Sequence, residues 1–241
     1  VKKNRSAEQK ERVYDIENFD FSYSYNQELQ HDYEVENFTK KTARVSSAYN
    51  YTFNPFVISP FKKIMFLENN KYLEWIKEFN FNPLLSSLSF DANINRTFNS
   101  QRFRDIYVEG ADSSNQIALP EIQQRNFLFD WNLSLSQNLS NSLRIDFSAS
   151  NNSIVKNYFE TDVMGDMAVN KELDIWDGFW NTGEANSHNQ SFGVTYELPF
   201  KLFPFINFIS SSYNYSGDFN WERGSDVMAL VEDDLGNVLG N

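Results

Sequence analysis

Phe127-Leu128-Phe129-Asp130-Trp131-Asn132-Leu133-Ser134-Leu135-Ser136 is the stretch whose reading decides the fold. From Phe129 onward its odd positions are aromatic or aliphatic, and its even positions are Asp, Asn, Ser and Ser. A period of two is the signature of an extended strand with one apolar and one polar face. The polar run Gln137-Asn138-Leu139-Ser140-Asn141-Ser142 follows, and then the alternation resumes. Leu143, Ile145, Phe147 and Ala149 now stand against Arg144, Asp146, Ser148 and Ser150. The two segments read as a hairpin.

The same grammar extends in both directions. Upstream, Phe19, Phe21, Tyr23 and Tyr25 alternate with Asp20, Ser22, Ser24 and Asn26. Val45, Tyr49, Tyr51 and Phe53 oppose Arg44, Ser46, Asn50 and Asn54, and Leu84, Leu88, Phe90, Ala92, Ile94 and Phe98 oppose Ser87, Ser89, Asp91, Asn93, Asn95 and Thr97. Downstream, Phe192, Val194, Tyr196, Leu198 and Phe200 lead through Leu202-Phe203-Pro204 into Ile209, Tyr213, Tyr215, Phe219 and Trp221. Their polar partners are Thr195, Glu197, Ser210, Ser212, Asn214, Ser216 and Asp218. Seven strands are thereby predicted, and the fold class is all-β.

Composition narrows what those strands build. The 241 residues include 40 aromatics (23 Phe, 12 Tyr, 5 Trp), yet the mean hydropathy is -0.55. Such a chain has enough apolar surface to fold. It has no apolar run near the roughly 18 residues a membrane helix requires. A net charge of -12 opposes nucleic-acid binding, which relies on clustered Lys and Arg. The absence of Cys removes disulfides, thiolate metal sites and cysteine nucleophiles. The charged amino end lacks the apolar core of a signal peptide and does not begin with Met, so a processed form or a fragment is expected.

The second face of the strands is the deciding feature. A soluble sandwich dresses its outward face with Lys and Glu, whereas here Ser, Asn, Thr and Asp dominate. An outer-membrane barrel turns apolar residues to lipid and polar residues to an aqueous lumen. On that pattern the predicted lumen-lining residues are Asp20, Ser22, Ser24, Asn26, Asp91, Asn93, Asn95, Asp130, Asn132, Ser134, Ser136, Arg144, Asp146, Ser148, Thr195, Glu197, Ser210, Ser212 and Asn214. Those predicted to face lipid or a neighbouring protein are Phe19, Phe21, Tyr23, Tyr49, Tyr51, Phe90, Ile94, Phe129, Trp131, Leu133, Leu135, Ile145, Phe147, Val194, Tyr196, Ile209, Tyr213 and Tyr215.

Loop lengths give an orientation. Short turns near Asn138 and Pro204 are assigned to the periplasmic end, and the long connections 99–125 and 155–190 to the outside. Segment 54–83 then falls on the periplasmic side. Within it, residues 71–79 read as a short amphipathic helix with Tyr72, Trp75, Ile76 and Phe79 as its interfacial residues. It either lies on lipid head groups or packs on the end of the barrel.

No residue pattern calls for bond chemistry. His31 and His188 lack triad or metal-ligand spacing. Neither Asp15 with Glu17 nor Glu34 with Glu36 has the fixed separation of a glycosidase pair. The loop acids Glu160, Asp162, Asp166, Glu172, Asp174 and Asp177, and later Glu232, Asp233 and Asp234, lack the spaced pattern of a calcium loop and read as solvated charge. Neither a cofactor nor a metal is expected. Asn-x-Ser/Thr triplets at Asn37, Asn50, Asn95, Asn132, Asn138 and Asn214 follow from the alternation, which places Asn and Ser or Thr on one polar face.

Asn80-Phe81-Asn82-Pro83 running into Leu88-Ser89-Phe90-Asp91-Ala92-Asn93-Ile94-Asn95-Arg96, the turn from Pro199 to Pro204, and Phe219-Asn220-Trp221 resemble the SprA/Sov family over nearly the whole chain. These are the outer-membrane translocons of the type IX secretion system of Bacteroidetes. The resemblance implies an internal piece of a very large protein-conducting barrel of about 36 strands. It also implies four kinds of partner: the rest of the same barrel, a PorV-type barrel, a periplasmic plug protein, and exported cargo carrying a sorting domain. An odd count of seven strands and a turn-like carboxyl end agree with a fragment whose edges pair with further chain. Two alternatives remain open: a smaller closed channel or adhesin-type barrel with an eighth strand near Val227 to Val231, and a secreted glycan-binding β-sandwich.

Overall fold

A computed structural model describes residues 12–62, 64, 73–104, 119, 121–155, 159–161, 167–169, 174–203 and 205–224. The eighth strand that the closed-barrel alternative calls for near 227–231, Tyr72, and the acids Asp162, Asp166, Glu172, Glu232, Asp233 and Asp234 lie outside the described residues. The strands are β1 (Phe19–Gln30), β2 (Val35–Thr52), β3 (Ser87–Phe103), β4 (Ile122–Asn138), β5 (Leu143–Ile154), β6 (Phe159–Thr161), β7 (Met167–Val169), β8 (Glu184–Leu198) and β9 (Ser211–Glu222). Seven of them form one sheet in the order β1-β2-β3-β4-β5-β8-β9, while β6 and β7 pair as a small separate hairpin. Every pairing in the large sheet is antiparallel between strands that follow one another along it.

Directly opposed residues share a face, so the register carries each alternation into the next strand. Tyr49 lies opposite Phe19 and Phe90, Phe90 opposite Leu133, and Leu133 opposite Ala149. Farther along, Phe147 lies opposite Phe192, and Tyr196 opposite Tyr213. One mainly apolar face rich in aromatics therefore extends across all seven strands, and Ser, Asn and Asp predominate on the other, with Arg44, Arg144 and Thr195 among them.

The connections sort into two ends. The four-residue turn 139–142, the 3-10 turn Phe200–Leu202 and segment 53–86 gather at one. At the other, β1 turns into β2 through residues 31–34, where Asp32 Oδ1 accepts the amides of Glu34 and Val35 at 2.9 and 2.7 Å. Those two amides hold the Asp32 carboxyl below its ordinary pKa. The long connections between β3 and β4 and between β5 and β8 share that end.

Several expectations are corrected. Of the helix expected over 71–79, the described residues show the single turn α1 (Glu74–Lys77), too short to hold an amphipathic face by itself. Ile76 there is half-buried and Phe79 is exposed. Ile209 and Ser210 precede β9 rather than belonging to it, since the Ile209 amide donates to the Ile206 carbonyl in a turn at 2.9 Å. The hairpin β6-β7 has no alternation and went unpredicted.

Asn80-Phe81-Asn82-Pro83 is a clamp. Asn82 is buried, its Oδ1 accepts the amides of Phe56 and Leu84, both at 3.2 Å, and its own amide donates to the Leu139 carbonyl at 2.8 Å. Asn80 Oδ1 accepts the Asn141 amide at 2.8 Å. Two asparagines thus seat the returning segment on the β4-β5 turn. Asn82→Ala is expected to cost about 1–3 kcal/mol by stranding two amides, while Asn82→Asp, which keeps the acceptor, should lose less. Denaturant unfolding of both variants measures the difference.

Candidate functional site

The sheet itself is the candidate site, because its two faces are chemically distinct over their full width. On the polar face the register places Asp20, Ser22, Ser24 and Asn26 of β1, Asp91, Asn93 and Asn95 of β3, Asp130, Asn132, Ser134 and Ser136 of β4, Arg144, Asp146 and Ser148 of β5, Thr195 and Glu197 of β8, and Ser212 and Asn214 of β9. Hydrogen bonds tie neighbours together there: Ser89 Oγ donates to Asn50 Oδ1 at 2.7 Å, Asn152 Nδ2 donates to Asp130, and the Arg144 guanidinium pairs with Asp146 at 2.8 Å. Shallow grooves follow this face, one lined by Asn132, Ser134, Ser148, Ser150, Ser191 and Asp218.

On the aromatic face lie Phe19, Phe21 and Tyr23 of β1, Tyr49 and Tyr51 of β2, Phe90 and Ile94 of β3, Phe129, Trp131, Leu133 and Leu135 of β4, Ile145 and Phe147 of β5, Val194 and Tyr196 of β8, and Tyr213 and Tyr215 of β9. Phe21 is 73 % exposed, and Tyr213 and Tyr215 are each more than half exposed. An exposed apolar surface of this breadth is larger than monomeric soluble proteins ordinarily leave to water. Tyr51 is buried and meets Phe53 edge-on at 4.7 Å. His188, on this face, lies 5.9 Å from the Trp131 ring and within 2.8 Å of Gln190.

The unforeseen element is a strap, residues 174–183, that crosses the aromatic face at the end bearing the long connections. Its Ile175 is fully buried with Ala43, Phe98, Phe127 and Val155, drawn from β2, β3 and β4 and from the residue after β5. Arg96 fixes it. This side chain is 1 % exposed, and its Nη1 donates to the carbonyls of Ile175 and Asp177 at 2.9 and 2.7 Å, its Nη2 to that of Gly178 at 2.6 Å. The guanidinium also stacks over Phe127 at 4.7 Å and Phe179 at 5.3 Å, a cation–π geometry. At the far side, Trp176 reaches Tyr23 and Tyr25 of β1, with ring centroids 6.2 and 5.6 Å apart. Gly183 closes the strap with φ +71°, and a Cβ there would stand 2.3 Å from the Ile154 carbonyl oxygen.

Lys41 adds an ion pair to Asp174 at 2.8 Å. Burial pushes the Asp174 carboxyl up, but the Lys41 ammonium and the Ile175 amide outweigh it and hold the group below its ordinary value. A depressed folded pKa stabilises above the unfolded value and is lost as pH falls through the folded one. The strap is therefore expected to loosen below about pH 4, seen as faster proteolysis within 174–183, and Asp174→Asn should flatten that dependence. Partial exposure limits the pair to at most about 1 kcal/mol.

Charge on the aromatic face is confined to the strapped end. Lys41, Arg96 and Arg125 share that face, Lys41 and Arg125 lying 5.9 and 5.7 Å from the Phe98 ring. Between the strap and the short-turn end, the same face of all seven strands carries no Lys, Arg, Asp or Glu. Among the described residues no group of three or more His, Asp or Glu is arranged to hold a metal ion. No helix of the described residues is long and apolar enough to cross a membrane. Neither a known family model nor any curated protein matches this chain.

Proposed function

We propose that this sheet is part of the wall of a large outer-membrane β-barrel that conducts folded proteins out of the cell, as the type IX translocons do. One observation carries the reading: an aromatic face, uncharged between the strap and the short turns, and a polar face rich in Ser, Asn and Asp run in parallel across the seven neighbouring strands of the sheet. Lipid accepts the first and water the second. In this arrangement the aromatic face meets outer-membrane lipid or a PorV-type neighbour. Asn93, Asn132, Ser134, Ser148 and Thr195 line a hydrated passage that gives cargo no apolar surface to adhere to. No bond is made or broken. Strands β1 and β9 stand at the two edges of the sheet, each twelve residues long without Lys or Pro to block further pairing. They join the rest of the barrel, and a plug protein closes the conduit from the periplasm.

Adjacent cysteines test this. In cells, a charged membrane-impermeant thiol reagent is expected to modify Ser134→Cys and to spare Leu133→Cys. A bulky polymer coupled at position 134 should slow export of cargo. Equal reactivity at both positions, or export indifferent to the polymer, overturns the reading.

A further inference from the structure

We infer that the strap is a membrane-interface anchor whose Trp176 and Trp180 rings sit among the lipid head groups and set the outer boundary of the bilayer on this wall. The inference rests on the barrel reading and deepens it by naming where the lipid ends. The first support is height. Ten residues separate Phe127, under the strap, from Gln137 at the short-turn end of β4. At about 3.3 Å per residue that is about 33 Å along the strand. With a tilt of about 40° it rises about 25 Å, the height of the apolar band on an outer-membrane barrel. Strap and short turns therefore bracket one hydrocarbon layer.

Charge placement agrees independently. The uncharged zone of the aromatic face ends where Lys41, Arg96 and Arg125 begin, and the first two are held by the strap itself. The third support is what the strap presents outward. Trp180 is 87 % exposed and meets Phe179 edge-on at 5.3 Å, while Trp176 is 41 % exposed above Tyr23 and Tyr25. Its carboxylates are engaged inward: Asp174 by Lys41, and Asp177 by the Asp174 amide at 2.6 Å. Two indoles at the edge of an apolar band suit the head-group layer, where the ring is half solvated and the N–H finds a partner. Everything above the strap, including the seven residues of β3 from Thr97 to Phe103, then stands clear of the membrane as an aqueous rampart.

Nitroxide labels on single cysteines at positions 39, 133, 134 and 180 of the membrane-embedded protein test the placement through collisions with oxygen, which enters lipid, and with a water-soluble nickel chelate. Position 133 is expected to favour oxygen, and positions 134 and 39 the chelate. Position 180 should fall between 133 and 39, with substantial collision by both reagents. Nickel access at 180 equal to that at 39 would put the strap in water and overturn the inference. Access by neither reagent would mean that protein covers the strap, which overturns it equally. The barrel reading fails separately, if 133 does not favour oxygen. Because Trp180 is so exposed, its replacement removes no buried packing.

Discussion

Arg96→Met is expected to destabilise the protein by about 3–5 kcal/mol and to free the strap from the sheet. Three charge-assisted hydrogen bonds disappear together, each worth about 1.5–3 kcal/mol. Methionine retains much of the contact with Phe127 and Phe179, so the loss reports the donors rather than a cavity. Rehydration of the partly buried Asp177 and Gly178 carbonyls keeps the total below the sum of the three, whereas the Ile175 carbonyl is buried and has no such recourse. Arg96→Lys separates charge from geometry. A single ammonium does not span three carbonyls, so the lysine variant should lose more than half as much as the methionine one. Guanidinium unfolding in bilayers gives the energies, and protease cleavage between 174 and 183 reports release. A strap that remains protected in Arg96→Met would mean that Ile175 and the Lys41–Asp174 pair suffice to hold it.

On the proposed barrel reading, Leu133→Lys is expected to cost about 2–4 kcal/mol, the depth-dependent range for a cation in the middle of a lipid-facing barrel strand. Ser134→Lys, one residue along and on the opposite face, should change stability by less than about 0.5 kcal/mol. The comparison is internally controlled, since both positions lie in the interior of β4 between β3 and β5. Strand propensity and backbone pairing are nearly constant between them, leaving the solvent on each side as the main variable. Two unfolding curves in the same lipid decide it, and equal costs would remove the two-solvent interpretation of the sheet.

Alternation made both faces of all seven strands legible, because the register carries the pattern unchanged from one strand to the next. At the strapped end of the sheet it failed, and for one reason. The segment preceding Phe127 reads as loop, yet β4 begins at Ile122; β3 continues to Phe103 past the expected Phe98. There the aromatic face turns polar, with Ser100 opposite Gln123. Two polar faces leave no contrast to read, although the backbone ladder continues. Strand β8 shows the same effect at Gln190 and His188, and so was expected to start near Phe192 rather than at Glu184. The strap left no periodic trace, because Arg96 meets carbonyls about 80 residues away. A lone arginine in an otherwise apolar register, between Ile94 and Phe98, was the one available signal.

For the barrel wall proposed above, the order β1-β2-β3-β4-β5-β8-β9 also bears on how it would change size over evolutionary time. Each strand bonds only to the one before and the one after it along the sheet, so duplicating or deleting a hairpin disturbs no distant pairing. At a spacing of about 4.8 Å and a tilt of about 40°, one added hairpin lengthens the circumference by about 12 Å and widens the bore by about 4 Å. Pore diameter then becomes a heritable quantity set by counting hairpins, and a passage wide enough for folded cargo is reachable from a narrow one through steps that each leave the existing strands in place.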